Sequence, residues 1–214
     1  MQKSVRFLLS LLFYCLTGMG ISLTIVGGVG VSSFNAANVA LADVLNVNVG
    51  LVTIGVNLAF ALSYAALTRF RYPKRYAIQI IALLCLGRVI DFFTYQVFAT
   101  LTPASYLERM GLLVAGTLTG GISTGMVLNL KTITFPVENT CDELSRLTKI
   151  AFAKFRYAVD MISVIVSVSL SLIYKIPFYA REGTVLSLFL LTAAISGTRW
   201  AYERLSAGNK KARP

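Results

Sequence analysis

Arg88 and Asp91 stand three residues apart inside Tyr76–Phe98, a run otherwise free of charged side chains. An ionisable group deep in an apolar run is costly to hold in a membrane and usually serves function. A spacing of three puts the two on one helical face, within reach of each other. Three roles stay open for them: an anion-binding guanidinium, a proton-coupled carboxylate, or a salt bridge that fixes helix packing.

Two polar segments interrupt the apolar runs, GGVGVSSFNAAN at 27–38 and KTITFPVENT at 131–140. Each reads as a break followed by a helix start. In the first, Gly27, Gly28 and Gly30 permit an irregular chain, and Ser32 or Ser33 is placed to cap a helix beginning near Phe34. In the second, Thr134 is placed to cap, and Pro136 suits a first helical turn, where its missing N–H costs nothing. Helix N-termini present free amides and partial positive charge, which suits anionic ligands. Asn35, Asn38 and Asn139 add neutral donors and acceptors at the same places, and Glu138 adds a carboxylate. The candidate binding residues are therefore Asn35, Asn38, Arg88, Asp91, Glu138 and Asn139, with closed turns and helix caps as the structural alternative for those in the two motifs and a packing salt bridge for Arg88 and Asp91.

Other polar residues have simpler expected roles. Asp160 lies four residues after Arg156 and is expected to pair with it. Asn57 is expected to hydrogen-bond to a neighbouring helix. Glu138, Asp142 and Glu143 suit the first turns of a helix, and their spacing matches no metal template. The chain has no histidine, so triads that need one are excluded and the commonest metal ligand is missing. Three cysteines without a Cys-x-x-Cys spacing point to neither a disulfide framework nor zinc. No nucleotide-binding signature is present. The expectation is no enzyme, no cofactor, no metal and no catalytic residue.

The elements that must position these groups are membrane spans. Of 214 residues, 56 % are hydrophobic and 14 % charged, against roughly 25 % charged in soluble domains. Apolar runs fall at Phe7–Val26, Val49–Thr68, Tyr76–Phe98, Gly111–Leu130, Tyr157–Tyr174 and Thr184–Trp200. Each approaches the length that crosses about 30 Å of hydrocarbon. The uncharged stretch Phe7–Asn35 is too long for a signal-peptide core and reads as the first span. The net charge of +11 does not point to nucleic acid, because Lys and Arg cluster in short tracts between the runs. Alternate loops carry 16 and 3 of the 20 basic residues, the last being Arg88, which places both termini in the cytoplasm. The basic tail, residues 204–214, is expected to lie on anionic headgroups.

Shifting the chain by 101 residues aligns Gly20–Val39 with Gly121–Thr140. Gly20, Ile21, Ser22, Val26, Phe34 and Asn38 then meet identical residues. The order of elements also repeats: a span, a polar segment starting a short helix, then two spans. Three spans per half is odd, so the second half enters the membrane inverted. The expected fold is thus all-α: a polytopic bundle of about six transmembrane helices in one membrane domain, 1–214. It comprises two inverted three-helix repeats, about 7–100 and 108–203, each with a short half-helix.

The motifs GISLTI (20–25), VGVSSFNAAN (29–38), VGLVTIGVNLAF (49–60), LGRVIDFF (86–93), TFPVEN (134–139) and REGTV (181–185) together resemble the YczE/YyaS/YitT group of bacterial membrane proteins. Members often carry an aspartate after the glycine-rich break and another after the proline of the second motif; here those places read Asn35 and Glu138. The resemblance implies a fold of this kind, and some members are linked with production or export of secondary metabolites.

The expected function is a small secondary transporter of the cytoplasmic (inner) membrane, moving a small solute held between the two motifs, where the helix N-termini suit an anion. A non-transporting accessory or scaffold protein is the alternative, as is the substrate-binding membrane subunit of a larger complex. The bilayer is the expected partner, nucleic acid is not, and a homo-oligomer or partner subunit stays open.

Overall fold

The computed structural model describes residues 3–211, with the side chains of Lys3, Glu203 and 205–211 left aside. Residues 1, 2 and 212–214 lie outside the described residues; of the basic tail, the backbone of 204–211 continues the last helix and 212–214 lie outside. The described chain is helical throughout: α1 (Lys3–Gly27), α2 (Ser33–Leu45), α3 (Val49–Leu67), α4 (Pro73–Phe92, continued by a π-helical turn at Phe93–Val97), α5 (Tyr106–Leu130), α6 (Pro136–Thr148), α7 (Phe152–Tyr174) and α8 (Glu182–Lys211). Six are long and apolar enough to cross a membrane, while the 13-residue α2 and α6 are not. The fifth long helix starts at Phe152, five residues before the apolar run suggests, which brings Arg156 into the helix.

Three of the four pairs of helix starts recur at a constant spacing, whereas Pro73 and Glu182 are 109 residues apart. Lys3 and Tyr106, Ser33 and Pro136, and Val49 and Phe152 are each 103 residues apart, two more than the sequence match. Packing partners recur as well: α2 packs on α7 and α6 on α3, α1 on α4 and α5 on α8. Gly18 of α1 meets Leu86 and Val89 of α4; Gly121, 103 residues on, meets Leu191 and Ala194 of α8. The parallel breaks at one seam. α3 and α4 pack together, whereas α7 and α8 share no packed face among the described residues.

The bundle is centred on α1 against α5, its most extensive helix pair. Gly20 faces Gly116 and Gly120 there, and a Cβ on Gly20 would lie 2.6 Å from both the Gly116 carbonyl oxygen and the Gly120 nitrogen. Lipid gives no hydrophobic drive to bring helices together, so close backbone approach through small residues supplies the attraction. α5 carries two successive Gly-xxx-Gly pairs. Gly116 and Gly120 face α1, and Gly121 and Gly125 face α8, where a Cβ on Gly125 would meet Thr198 at 2.8 Å. One helix thereby seats two neighbours.

Asp91 serves a different crossing. Its Oδ1 accepts from the Gly50 amide at 2.7 Å, and the Tyr95 hydroxyl accepts from the Val49 amide at 3.2 Å. The first-turn amides of α3 are therefore satisfied by α4, since Asn48 makes no side-chain cap. Gly50 and Gly87 lie backbone to backbone beside this carboxylate. Arg88 is exposed, and no ion pair joins it to Asp91 among the described residues. Of the three roles left open by the sequence, the Arg88–Asp91 bridge is thus not formed, because the carboxylate turns to the positive end of α3 instead.

Substituting Gly20 or Gly116 by valine should cost about 1–3 kcal/mol each, because backbone is the atom that must move. Gly111→Ala, with open space at its Cβ position, should be neutral or gain up to about 1 kcal/mol. Denaturant or thermal unfolding of the purified protein separates the two classes; equal behaviour would show that the crossing is not tightly packed.

Candidate functional site

The short helices α2 and α6 both begin at one cavity of about 850 Å³. Ser32, Ser33, Phe34 and Asn35 reach it from α2, and Phe135, Val137 and Glu138 from α6. Neither start carries a side-chain cap: Ser32 and Phe135 are the flanking residues, and neither accepts from its helix. The expected caps at Ser32 or Ser33 and at Thr134 are not formed. Thr134 instead accepts from Asn139 Nδ2 at 2.7 Å. Pro136 has no N–H to satisfy, and Glu138 stands third in α6, where a carboxylate meets the free amides.

Polar residues spaced 103 apart in the chain meet on the cavity wall. Asn35 and Glu138, Thr53 and Arg156, and Asn57 and Asp160 all line it, and the members of each pair are 103 residues apart. The first set is neutral and the second charged. Arg156 Nη1 lies 2.8 Å from Asp160 Oδ1, the pairing expected from their spacing, and its Nε is 3.8 Å from Glu138 Oε1. Burial pushes the Glu138 carboxyl above its ordinary range, and the Arg156 guanidinium pulls it back. Asn57 Nδ2 bonds to the Thr53 carbonyl of its own helix at 2.9 Å, not to a neighbouring helix. Thr53 in turn accepts from Asn38 Nδ2 at 3.5 Å, which ties α2 to α3.

The six residues singled out in the sequence thus divide. Asn35 and Glu138 line the central cavity, Asn38 is buried behind it, and Asn139 braces the start of α6. Arg88 and Asp91 border a separate pocket of about 360 Å³ with Val47, Asn48, Leu51 and Ile54, at the α3–α4 seam. Thr53, Arg156 and Asp160 were not among the candidates. The signal that would have found them is the 103-residue register, which pairs each with a polar residue of the other half.

One wall of the cavity is the open seam. Ala153 of α7 and Thr192 and Ser196 of α8 line it. They stand 103, 105 and 105 residues beyond Gly50, Gly87 and Asp91, the residues that close the α3–α4 seam. At the other side the break after α1 is stitched to the start of α8. Val31 donates to the Tyr179 carbonyl at 3.3 Å, Gly183 to the Val29 carbonyl at 3.0 Å, and Arg181 Nη1 to the Gly28 carbonyl at 3.3 Å. Gly28 and Gly30 have positive φ, and a Cβ on Gly30 would lie 2.9 Å from the Thr184 nitrogen. The Tyr179 hydroxyl adds a 2.7 Å bond to Asp43; burial and that carboxylate push its pKa well above the usual value, so it remains the donor.

Asp91→Asn should weaken the α3 cap and lower stability by about 0.5–2 kcal/mol. Arg88→Gln, at an exposed residue without an ion pair, should change stability little. Thermal unfolding of both variants tests this; a larger loss at Arg88 would restore the Arg88–Asp91 bridge.

Comparison with known proteins supplies a family and no activity. The chain is 27 % identical over 175 residues to the "Uncharacterized protein YyaS" of Bacillus subtilis (strain 168), covering 80 % of this chain and 81 % of that one. No solved structure matches. Residues 4–198 match a family model, and the chain, an integral membrane protein by its six apolar helices, belongs to the family of unknown function DUF6198.

Proposed function

We propose that this protein is a small secondary transporter of the cytoplasmic membrane, built from two inverted repeats, with its substrate held in the central cavity. The observation that carries the reading is the convergence of two uncapped half-helices on one cavity, lined by equivalent residues of both halves. Irregular backbone at membrane depth is tolerated where it lines a cavity, and paired broken helices mark the site of inverted-repeat transporters. The common 103-residue spacing and the recurring partners α2–α7 and α6–α3 support the repeat. The distribution of basic residues supports cytoplasmic termini. In that orientation the stitched end faces outward. The order of motifs supports grouping the family with YczE and YitT.

The asymmetry of the seams supports alternating access. One state has α3–α4 closed through Gly50, Gly87 and Asp91 and α7–α8 open; the other exchanges these roles. The break after α1 is bonded to the start of α8, while among the described residues no hydrogen bond joins residues 131–135 to the α3–α4 turn. A scaffold has no use for a cavity of about 850 Å³ at its centre. A substrate-binding subunit of a larger complex is the second reading, favoured by the exposed apolar faces of α7 and α8, among them Met161, Ile162, Ile165, Leu172 and Phe189.

A test without a known substrate uses accessibility. With Cys15, Cys85 and Cys141 replaced, Thr124→Cys places one thiol on the cavity wall. A membrane-impermeant maleimide should label it from the cytoplasmic side. Tyr179→Phe removes one outer hydrogen bond and should raise labelling from outside roughly five- to tenfold. Labelling from one side that does not respond to Tyr179→Phe would rule out alternation through this tie.

A further inference from the structure

The two halves of the cavity wall differ in charge, and that difference bears on what the cavity takes. Asn35, Thr53 and Asn57 are neutral, whereas Glu138, Arg156 and Asp160 are the charged groups among its described lining residues. Two carboxylates face one guanidinium. Asp160 is the nearer partner of Arg156, at 2.8 Å against 3.8 Å, so Glu138 is the carboxylate left without a close counter-ion. The free amides of α6 do not offset this toward an anion, since Glu138 itself stands among them as the third residue of that helix.

Two further observations point to a ligand. Thr117, 4 % exposed and on the cavity wall, has a hydroxyl with no hydrogen-bond partner, although buried polar groups are nearly always paired. Aromatic side chains also line the cavity, among them the half-buried Phe34 and Phe135, and aromatic faces attract cations when water is excluded. An anion would meet two carboxylates and an arginine already engaged. A cation meets a carboxylate whose ion pair with Arg156 is long, at 3.8 Å, and aromatic side chains.

We propose that the cavity is a binding site for an organic cation, a quaternary or protonated amine with an apolar body. Glu138 holds its charge, and Asn35 and Thr117 meet its neutral polar groups. The inference rests on the cavity being the substrate site of the proposed transporter, and it reverses the sign expected from the half-helix ends alone.

The test uses two probes of like size and opposite charge, benzyltrimethylammonium and benzenesulfonate, on the full chain in lipid nanodiscs. The cation should bind and raise the unfolding temperature, and the sulfonate should not. Glu138→Gln should weaken cation binding about tenfold or more, Glu138→Asp should largely keep it, and Asn35→Asp, which adds a carboxylate to the same wall, should strengthen it. Should Glu138→Gln fail to fold, the Asn35→Asp gain still decides. Preference for the sulfonate, binding of neither probe at millimolar concentration, or cation binding indifferent to both substitutions would overturn the proposal. Proteoliposome flux separates it from the transporter reading. Cation binding that depends on Glu138 without flux removes the transporter and leaves the site. Flux of the sulfonate, unchanged in Glu138→Gln, removes the cation site and leaves the transporter.

Discussion

The contact of α1 with α5 through Gly20, Gly116 and Gly120 brings two backbones together with no side chain between them. Much of the rest follows from it. In a bilayer the apolar surface of a helix gains nothing by turning from lipid to protein, so association rests on fit and on polar groups. The crossing joins α1 to α5, and each then seats a further long helix through small residues. Gly18 and Ser22 of α1 face α4, where the Ser22 hydroxyl also reaches the Ile90 carbonyl at 3.1 Å, while Gly121 and Gly125 of α5 face α8.

A second constraint shapes the site. A helix that starts inside a membrane exposes amides that lipid cannot satisfy. Three helix starts show two solutions. At α3 the groups are met from the next helix, by Asp91 and Tyr95. At α2 and α6 they are left without side-chain caps and open onto the central cavity. The difference separates a packed seam, where Asp91 meets the α3 amides, from a cavity that Glu138 lines.

Much of the fold was legible because it depends on composition along the chain. Long uncharged runs must be spans, and glycine-rich or proline-bearing breaks must interrupt them, so the six long helices and two short ones could be read from pattern. Asn35 and Glu138 were legible as cavity residues for the same reason, since each follows a break. A bridge between Arg88 and Asp91 was one of three roles left open, because spacing on one helix says which groups can meet, not which partner another helix offers. The two Gly-xxx-Gly pairs of α5 were visible but their partners were not. Thr53, Arg156 and Asp160 were hidden by a match placed two residues from the register in which the helices start.

The sequence by itself determined that the chain lies in a membrane, how many times it can cross, and where it breaks, because these depend on local apolarity and on glycine and proline. Only the tertiary structure decided which amides receive a cap, which seam is closed, and that one half of the cavity wall is neutral and the other charged. Those outcomes depend on helices far apart in the chain competing for the same carboxylates and amides, and no local pattern records which of them wins.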